Sequence, residues 1–505
     1  MAIAFDAHEL STSWLDGTRK RRLILLTAGT TALSLVLARL ILMWDVAVAV
    51  GVLVWLAVAA MLARPRYGLY LLLAVVLLFE GGSEDPLMMP GNYLDRSLQE
   101  TLRLSGAIFF PIEILVVLIT IVWLAHGLMR KQLDFQAGSL GRPVLFFALA
   151  LTFGMMRGLA AGAVFNYSFW ESRFLFAMVL CYMLAANTIR TRAHVKTALS
   201  IVMICAALFA IEAVWRRFAL ANTGALGPAQ ELWYAHEDVV VWGVLILMVI
   251  AQQVFGAPCW QRIIGPFALT IAGLAMLVSE RRAGIIAVII AFFALAAVLF
   301  FVKRRAFIFL VIPLTVAGMV YLPLFWNNTG TLGQPARAVR SISDPDPRDA
   351  ASNEWRGLEA INVRATIASD PLLGVGFGRP FLQIVTVPDI SFFEFWNYES
   401  HHDILWVWMK TGAIGFIAFF TLIGSAIARA VWLIKTRREP EIRVFSIIAL
   451  SAIFMSITFC YVDLGLTSPR IPIVLGLMMG MLAALDRLRD DSSRSNLMEG
   501  QLTSS

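Results

Sequence analysis

The chain has 505 residues, of which 59% are hydrophobic and 15% charged, with a formal net charge of +7. That is more apolar surface than a soluble protein of this size can bury, so soluble classes are excluded. The basic excess gathers at the ends of apolar runs, which points away from nucleic acid as a partner. The runs are about one bilayer thickness long as helix and do not alternate, so an all-α, polytopic membrane helix bundle is expected, not a barrel.

In chain order, spans are predicted at residues 23–43, 45–63, 67–80, 105–128, 143–161, 171–189, 197–217, 237–255, 263–279, 283–302, 306–324, 402–434, 443–461 and 470–486, or about 12–14 transmembrane helices. The first 18 residues carry Asp6, Glu9 and Asp16 and no cleavable signal pattern, so the first span is read as a retained anchor. Basic clusters mark the cytoplasmic side. Arg19-Lys20-Arg21-Arg22, Arg64 with Arg66, Arg130-Lys131, Arg190 with Arg192, Lys303-Arg304-Arg305 and Lys435 with Arg437-Arg438 then all fall inside, and both termini are cytoplasmic. Cys181, Cys205 and Cys460 lie in predicted spans and Cys259 in a short inner loop, a pattern with no disulfide framework.

The resulting organisation is residues 1–324 as transmembrane helices, 325–401 as one long external loop with short helices, 402–489 as the C-terminal spans, and 490–505 as a disordered tail. Within the external loop the segment 352–371 is expected to be helical, capped by Ser352 or Asn353 and ended by Pro371. "DPDPRD" at residues 344–349 reads as a turn-rich loop.

Arginines on the outer side oppose the topology rule and are therefore informative. Arg157, Arg173, Arg216, Arg217, Arg281 and Arg282 all fall near the outer ends of spans. Snorkelling to lipid headgroups would account for any one of them, but an ionisable group at membrane depth is a functional candidate. Guanidinium binds phosphate through a bidentate fork, and Arg173 and Arg282 open their spans, where the helix dipole also favours an anion. Arg216 and Arg217 close theirs, where a structural role is favoured.

"ESHHDILWVWMKTGAIGF", residues 399–416, places two of only six histidines at the head of a span. Ser400 and Asp403 have the spacing of a capping box. His401 and His402 point about 100° apart on a helix, an arrangement unsuited to sharing a metal ion, and no metal site is expected. A histidine beside bound anions is well placed to accept a proton.

Together these pieces carry a resemblance. "HHDILWVWMKTGAIG" is similar to the His-Asn-x-x-Leu…Gly-x-x-Gly signature of the O-antigen ligase and polymerase superfamily, with His401, Leu405, Gly412 and Gly415 on the motif positions. "SERRAGIIAVII" resembles the family's arginine-led span, placing Arg282 on the family arginine, and "WESRFLF" resembles an earlier one through Arg173. "WRGLEAINVRATIASDPLLGVGFGRPF" is similar to the family's outer-loop segment. The four pieces follow the family's order across residues 170–425. His402 stands where the family has Asn, and Arg281 where it has a small residue, which leaves open which histidine and which arginine act.

The resemblance implies a metal-independent, inverting glycosyltransferase at the outer face of the bacterial inner membrane. Its donor would be an undecaprenyl-diphosphate-linked glycan and its acceptor a sugar, lipid A–core or a growing glycan, with membrane lipids around it and a chain-length regulator as a further partner. His401 would be the base. Arg173 and Arg282, supported by Arg281, would hold the diphosphate. His402 and Arg157 are supporting candidates. Gly374 and Gly376 would let backbone approach a saccharide or phosphate, unless they simply make turns. Phe392, Phe393, Trp396 and Tyr398 would stack on sugar rings or form an interfacial aromatic belt. Ligase, polymerase and protein-glycosylating activities use one constellation and stay open. A transporter or flippase for lipid-linked glycan is the rival class, but it should show repeated halves and charges near the midplane.

Overall fold

The computed structural model describes residues 46–79, 109–129, 131, 135–223, 236–328, 330–388 and 394–488. The predicted span at 23–43, Phe392, Phe393 and the tail lie outside these residues. The described residues are helical and contain no strand. Two units are present, residues 1–68 and 69–505. The described part of the first is helix α1 (Val46–Ala63) and the first turn of α2 (Pro65–Leu78).

The second unit continues through α3 (Pro111–Met129), α4 (Gly141–Ala160), α5 (Phe165–Thr188), α6 (Arg192–Thr223), α7 (Asp238–Phe255), α8 (Cys259–Val278), α9 (Arg282–Val302) and α10 (Arg304–Phe325, with a π turn at Phe307–Val311). Two helices, α11 (Gln334–Arg340) and α12 (Pro347–Ser369), precede α13 (Asp403–Thr436), α14 (Pro440–Cys460) and α15 (Arg470–Ala484). Ten of these helices, α3 to α10 with α13 and α14, are long and apolar enough to cross a membrane. The chain is a multi-pass membrane helix bundle.

Helix–helix contact in lipid depends on close packing, because lipid tails are as apolar as the side chains they would replace. Gly476 and Gly480, four residues apart on α15, meet this need. A Cβ at either would lie 2.3 Å from a carbonyl oxygen of α5, Met178 or Tyr182 respectively. The small residues let the two backbones touch.

The loop helix departs from expectation at its start. It begins five residues before the predicted cap, with Asp346 as N-cap, its side chain accepting from the Asp349 amide, and Pro347 in the first turn. Half of "DPDPRD" is thus a helix start, because Pro is compatible with a first turn whose amide has no partner. The C-cap is Asp370, just before Pro371.

After α12 the chain runs back into the bundle. Gly412 has φ 67° and breaks α13 one-third of the way along. The freed backbone is taken up by the incoming segment: Val375 N donates to Met409 O at 2.8 Å and Ala413 N to Pro371 O at 2.9 Å. A Cβ on Gly412 would lie 2.2 Å from Leu372 O, and one on Gly374 would lie 2.4 Å from Gly412 N. Below the break, Lys410 and Glu171 are fully buried and paired at 2.5 Å. Lys410 Nζ also donates to Arg379 O at 2.6 Å, and Glu171 accepts from the Gly378 amide. Residues 371–379 are therefore bolted to α5 and α13 by both backbone and charge.

Replacing Gly412 by Ala should destabilise the protein by about 1–3 kcal/mol from backbone strain, before any clash is counted. Gly424, on the same helix with open space at its Cβ position, is the control. Melting temperatures of the detergent-solubilised variants should fall for Gly412→Ala and stay level or rise for Gly424→Ala. Equal behaviour of the two would contradict the account of the break.

Candidate active site

A cavity of 480 Å³ opens at one end of the bundle, where α7, α9 and α13 begin and α14 ends. Its lining includes His236, Glu280, Arg281, Arg282, Arg337, Asp349, Arg356, His401 and Asp463. Four arginines and three carboxylates are part of the lining, so guanidinium groups are prominent on the chamber wall.

His401 owes its position to α12. Glu359, buried on that helix, accepts from the His401 amide at 2.8 Å and from Ser400 Oγ at 3.2 Å, and lies 3.3 Å from His401 Nδ1. With Nδ1 turned to the carboxylate, Nε2 is the ring nitrogen left to accept a proton. Burial pulls the imidazole pKa down, but the Glu359 hydrogen bond and charge, with Asp463, outweigh it and leave it above the ordinary value. His402 goes elsewhere. Its ring meets Tyr461 edge-on at 4.5 Å and does not line the cavity. Burial, and then Arg364, hold its pKa below the ordinary value.

The expected capping box does not form. Ser400 Oγ is used by Glu359 and by the His402 amide at 3.1 Å, while Asp403 accepts from the Gly465 and Leu466 amides, each at 2.6 Å. A fully buried carboxylate gains more from two amides of a distant turn than from its own helix end. That turn carries Asp463, the hub of the far wall. Its carboxylate is 3.1 Å from His236 Nδ1 and 3.4 Å from Arg356. Burial would raise its pKa, but His236, Arg356 and His401 together hold it well below the usual carboxylate range.

The arginines separate into two groups. Arg282, at the first position of α9, lies 3.2 Å from Asp349, which also pairs with Arg337 at 2.9 Å. Arg281 lines the same chamber. Arg173 does not. Its guanidinium is 3.7 Å from the centroid of Trp170 and 3.9 Å from that of Phe110, with Glu113 at 3.6 Å, and the side chain is 2% exposed. Arg157 ties the end of α4 to the turn after α12, through Asp370 and the carbonyl of Gly374. Arg216 pairs with Glu212 at 2.6 Å, and Arg217 faces Glu280 at 3.7 Å.

The close approach permitted by Gly374 and Gly376 is to protein backbone. A Cβ on Gly376 would lie 2.3 Å from the Gly158 amide, so both glycines seat the loop against α4 and α13. Tyr398 packs on Tyr167 at 5.0 Å and does not line the cavity. The two histidines have separate surroundings, and among the described residues no three His, Cys, Asp or Glu side chains group as a metal site would require.

His236, Arg337, Arg356, Glu359 and Asp463 escaped the sequence reading. Arg356 and Glu359 had a signal, since a spacing of three puts them on one helix face behind the histidines. Asp463, in "CYVDLGL", was the one acidic residue in a short connection between two spans. Arg337 carried no local mark.

Among the described residues, ten helices long and apolar enough to cross a membrane and, at their ends, an arginine-rich chamber with a carboxylate-backed histidine define a polytopic membrane protein with a site suited to an anionic substrate. Residues 267–420 match the family model described as O-antigen ligase, so this stretch bears out the resemblance to the O-antigen ligase and polymerase superfamily. The match takes in Arg281, Arg282, Arg337, Asp349, Arg356, Glu359 and His401. No curated protein matches the chain in sequence. The family match supports an O-antigen ligase-like role in membrane glycan processing, with a lipid-linked glycan donor and a glycan acceptor in general terms.

The environment of Arg173 generates a test of its own. Arg173→Ala should lower the melting temperature sharply, since a buried Glu113 left without its partner costs about 3–5 kcal/mol. The double variant Arg173→Met with Glu113→Gln should recover part of the loss. A melting temperature unchanged in Arg173→Ala would show that this arginine does not hold the fold.

Proposed function

We propose that the protein is an inverting glycosyltransferase that uses undecaprenyl-diphosphate-linked oligosaccharide as donor at the outer face of the inner membrane, with His401 as base. The observation carrying this reading is the single chamber that holds Glu359-backed His401 together with Arg281, Arg282, Arg337 and Arg356. The diphosphate is bound by guanidinium forks, which tighten as negative charge develops on the leaving group. The acceptor hydroxyl gives its proton to His401 Nε2 while its oxygen attacks the anomeric carbon from the opposite side. The bond from that carbon to the phosphate oxygen breaks, and its electron pair leaves with the lipid diphosphate. Glu359 holds the ring and stabilises the imidazolium.

The direct test is transfer by the purified protein in detergent or nanodiscs. The donor is supplied alone in one tube and with lipid A–core in another. A ladder from donor alone identifies a polymerase, and product only with lipid A–core identifies a ligase. His401→Ala should lower either rate by at least about 100-fold, the usual contribution of a positioned base. Arg282→Ala should lose about as much, and Arg282→Lys should recover only part because the fork is gone. Wild-type rates in His401→Ala and Arg282→Ala would sink the mechanism.

Glu359→Gln supplies a pH test. A base works only when neutral, so activity rises as pH passes upward through the His401 pKa. Removing the carboxylate lowers that pKa, so the acidic limb of the pH–rate profile should move to lower pH while the plateau rate falls. An unmoved limb would separate Glu359 from the base.

A further inference from the structure

A second cavity, of 390 Å³, lies at the opposite end of α7 and α14 from the first. It is lined by residues that include Lys196, Gln252, Pro258, Gln261, Arg262 and Glu441. An 18-residue helix such as α7 is about 27 Å long, so the two cavities face the two opposite ends of the bundle. We infer that this second cavity binds the headgroup of an anionic phospholipid whose glycerol carries free hydroxyls, as in phosphatidylglycerol.

Charge is the first argument. Glu441 is occupied by Arg192 at 2.6 Å, with Lys196 farther off at 3.8 Å. Lys196 and Arg262 therefore bring more positive charge to the cavity than Glu441 can offset. Backbone polarity adds to it. The first turns of α8 and α14 both contribute to the lining, and neither helix has a side-chain cap at its N-terminus. Two positive helix ends beside two cations form a receptor for phosphate.

A hydrogen-bond chain supplies the second, independent argument. Ser200 Oγ spends its proton on Lys196 O at 3.0 Å, so it can only accept from Gln261 Nε2, at 3.1 Å. That fixes the Gln261 amide, whose Oε1 accepts from Gln252 Nε2 at 2.8 Å. The direction of the chain is set from one end, and it leaves Gln252 Oε1 as an acceptor without a donor. Gln252 is 1% exposed and lines the cavity. A buried amide oxygen left without a hydrogen bond is costly, and a hydroxyl of the headgroup supplies the missing donor. The cavity lies at the ends of α7, α8 and α14, three helices long and apolar enough to cross a membrane, and helix ends are where headgroups gather, which favours a lipid over a soluble phosphoester.

The test is native mass spectrometry of the detergent-solubilised full chain, titrated with dioleoylphosphatidylglycerol. One tightly held lipid is expected, with affinity lowered at least tenfold in the Lys196→Ala, Arg262→Ala double variant. Arg305, an exposed cation that does not line the cavity, is the control, and Arg305→Ala should leave the affinity unchanged. Gln252→Leu should weaken phosphatidylglycerol several-fold but leave phosphatidic acid, which has no headgroup glycerol, at its wild-type affinity. Phosphatidylcholine should bind weakly throughout, and glycerol 3-phosphate should not displace the lipid. Unchanged affinity in the double variant, or equal loss in Arg305→Ala, overturns the site. Displacement by glycerol 3-phosphate overturns its assignment to a lipid. Wild-type phosphatidylglycerol affinity in Gln252→Leu overturns the role given to the hydroxyl. None of these outcomes depends on glycan transfer.

Discussion

The break in α13 at Gly412 is the constraint from which the rest of the site end follows. A helix interrupted within a membrane leaves backbone groups that lipid cannot satisfy, so something polar must reach them. The segment after α12 does so with its own amides and carbonyls, and Lys410 and Glu171 secure it from below. A buried ion pair adds little net stability compared with apolar packing, but each half is costly to leave alone. The pair therefore acts as a lock, admitting one placement of the segment and penalising others. Fixing that segment fixes where α12 ends and where the chain returns toward His401.

The chamber is built on arginines that already have partners. Asp349 is shared by Arg282 and Arg337, and Asp463 by Arg356 and His236. Pairing of this kind keeps long side chains ordered and prevents a dense positive cluster from flying apart. It also sets a threshold, since an anion entering the chamber has to compete with carboxylates already there. A monovalent ion competes poorly, whereas a group with several charged oxygens can engage more than one guanidinium at once.

Much of the bundle was legible because hydropathy reports span length directly. The predicted 237–255, 283–302 and 143–161 depart from the observed helices by no more than two residues at either end. His401, Arg281 and Arg282 were found because charge is conspicuous at the head of an apolar run. The same rule singled out Arg173, which lies outside the chamber between the rings of Trp170 and Phe110, since sequence does not tell an arginine on a cavity wall from one packed against aromatic rings. Arg337 and His236 were invisible for the complementary reason: only the fold brings α11 and the turn before α7 to the wall of one chamber. Ser400 and Asp403 had the right spacing for a cap, but spacing says nothing about competing partners that arrive from residues 359 and 465.

One helix performs two tasks that need not have been joined. The α12 residues Asp349, Ser352, Asn353 and Arg356 form a wall of the chamber, and Glu359, one turn further on, is the group that holds the imidazole. The wall of the chamber and the support of the imidazole are thus parts of one rigid body, like a lintel and the hinge fixed to it, so a substitution that displaces either of them is felt by the other.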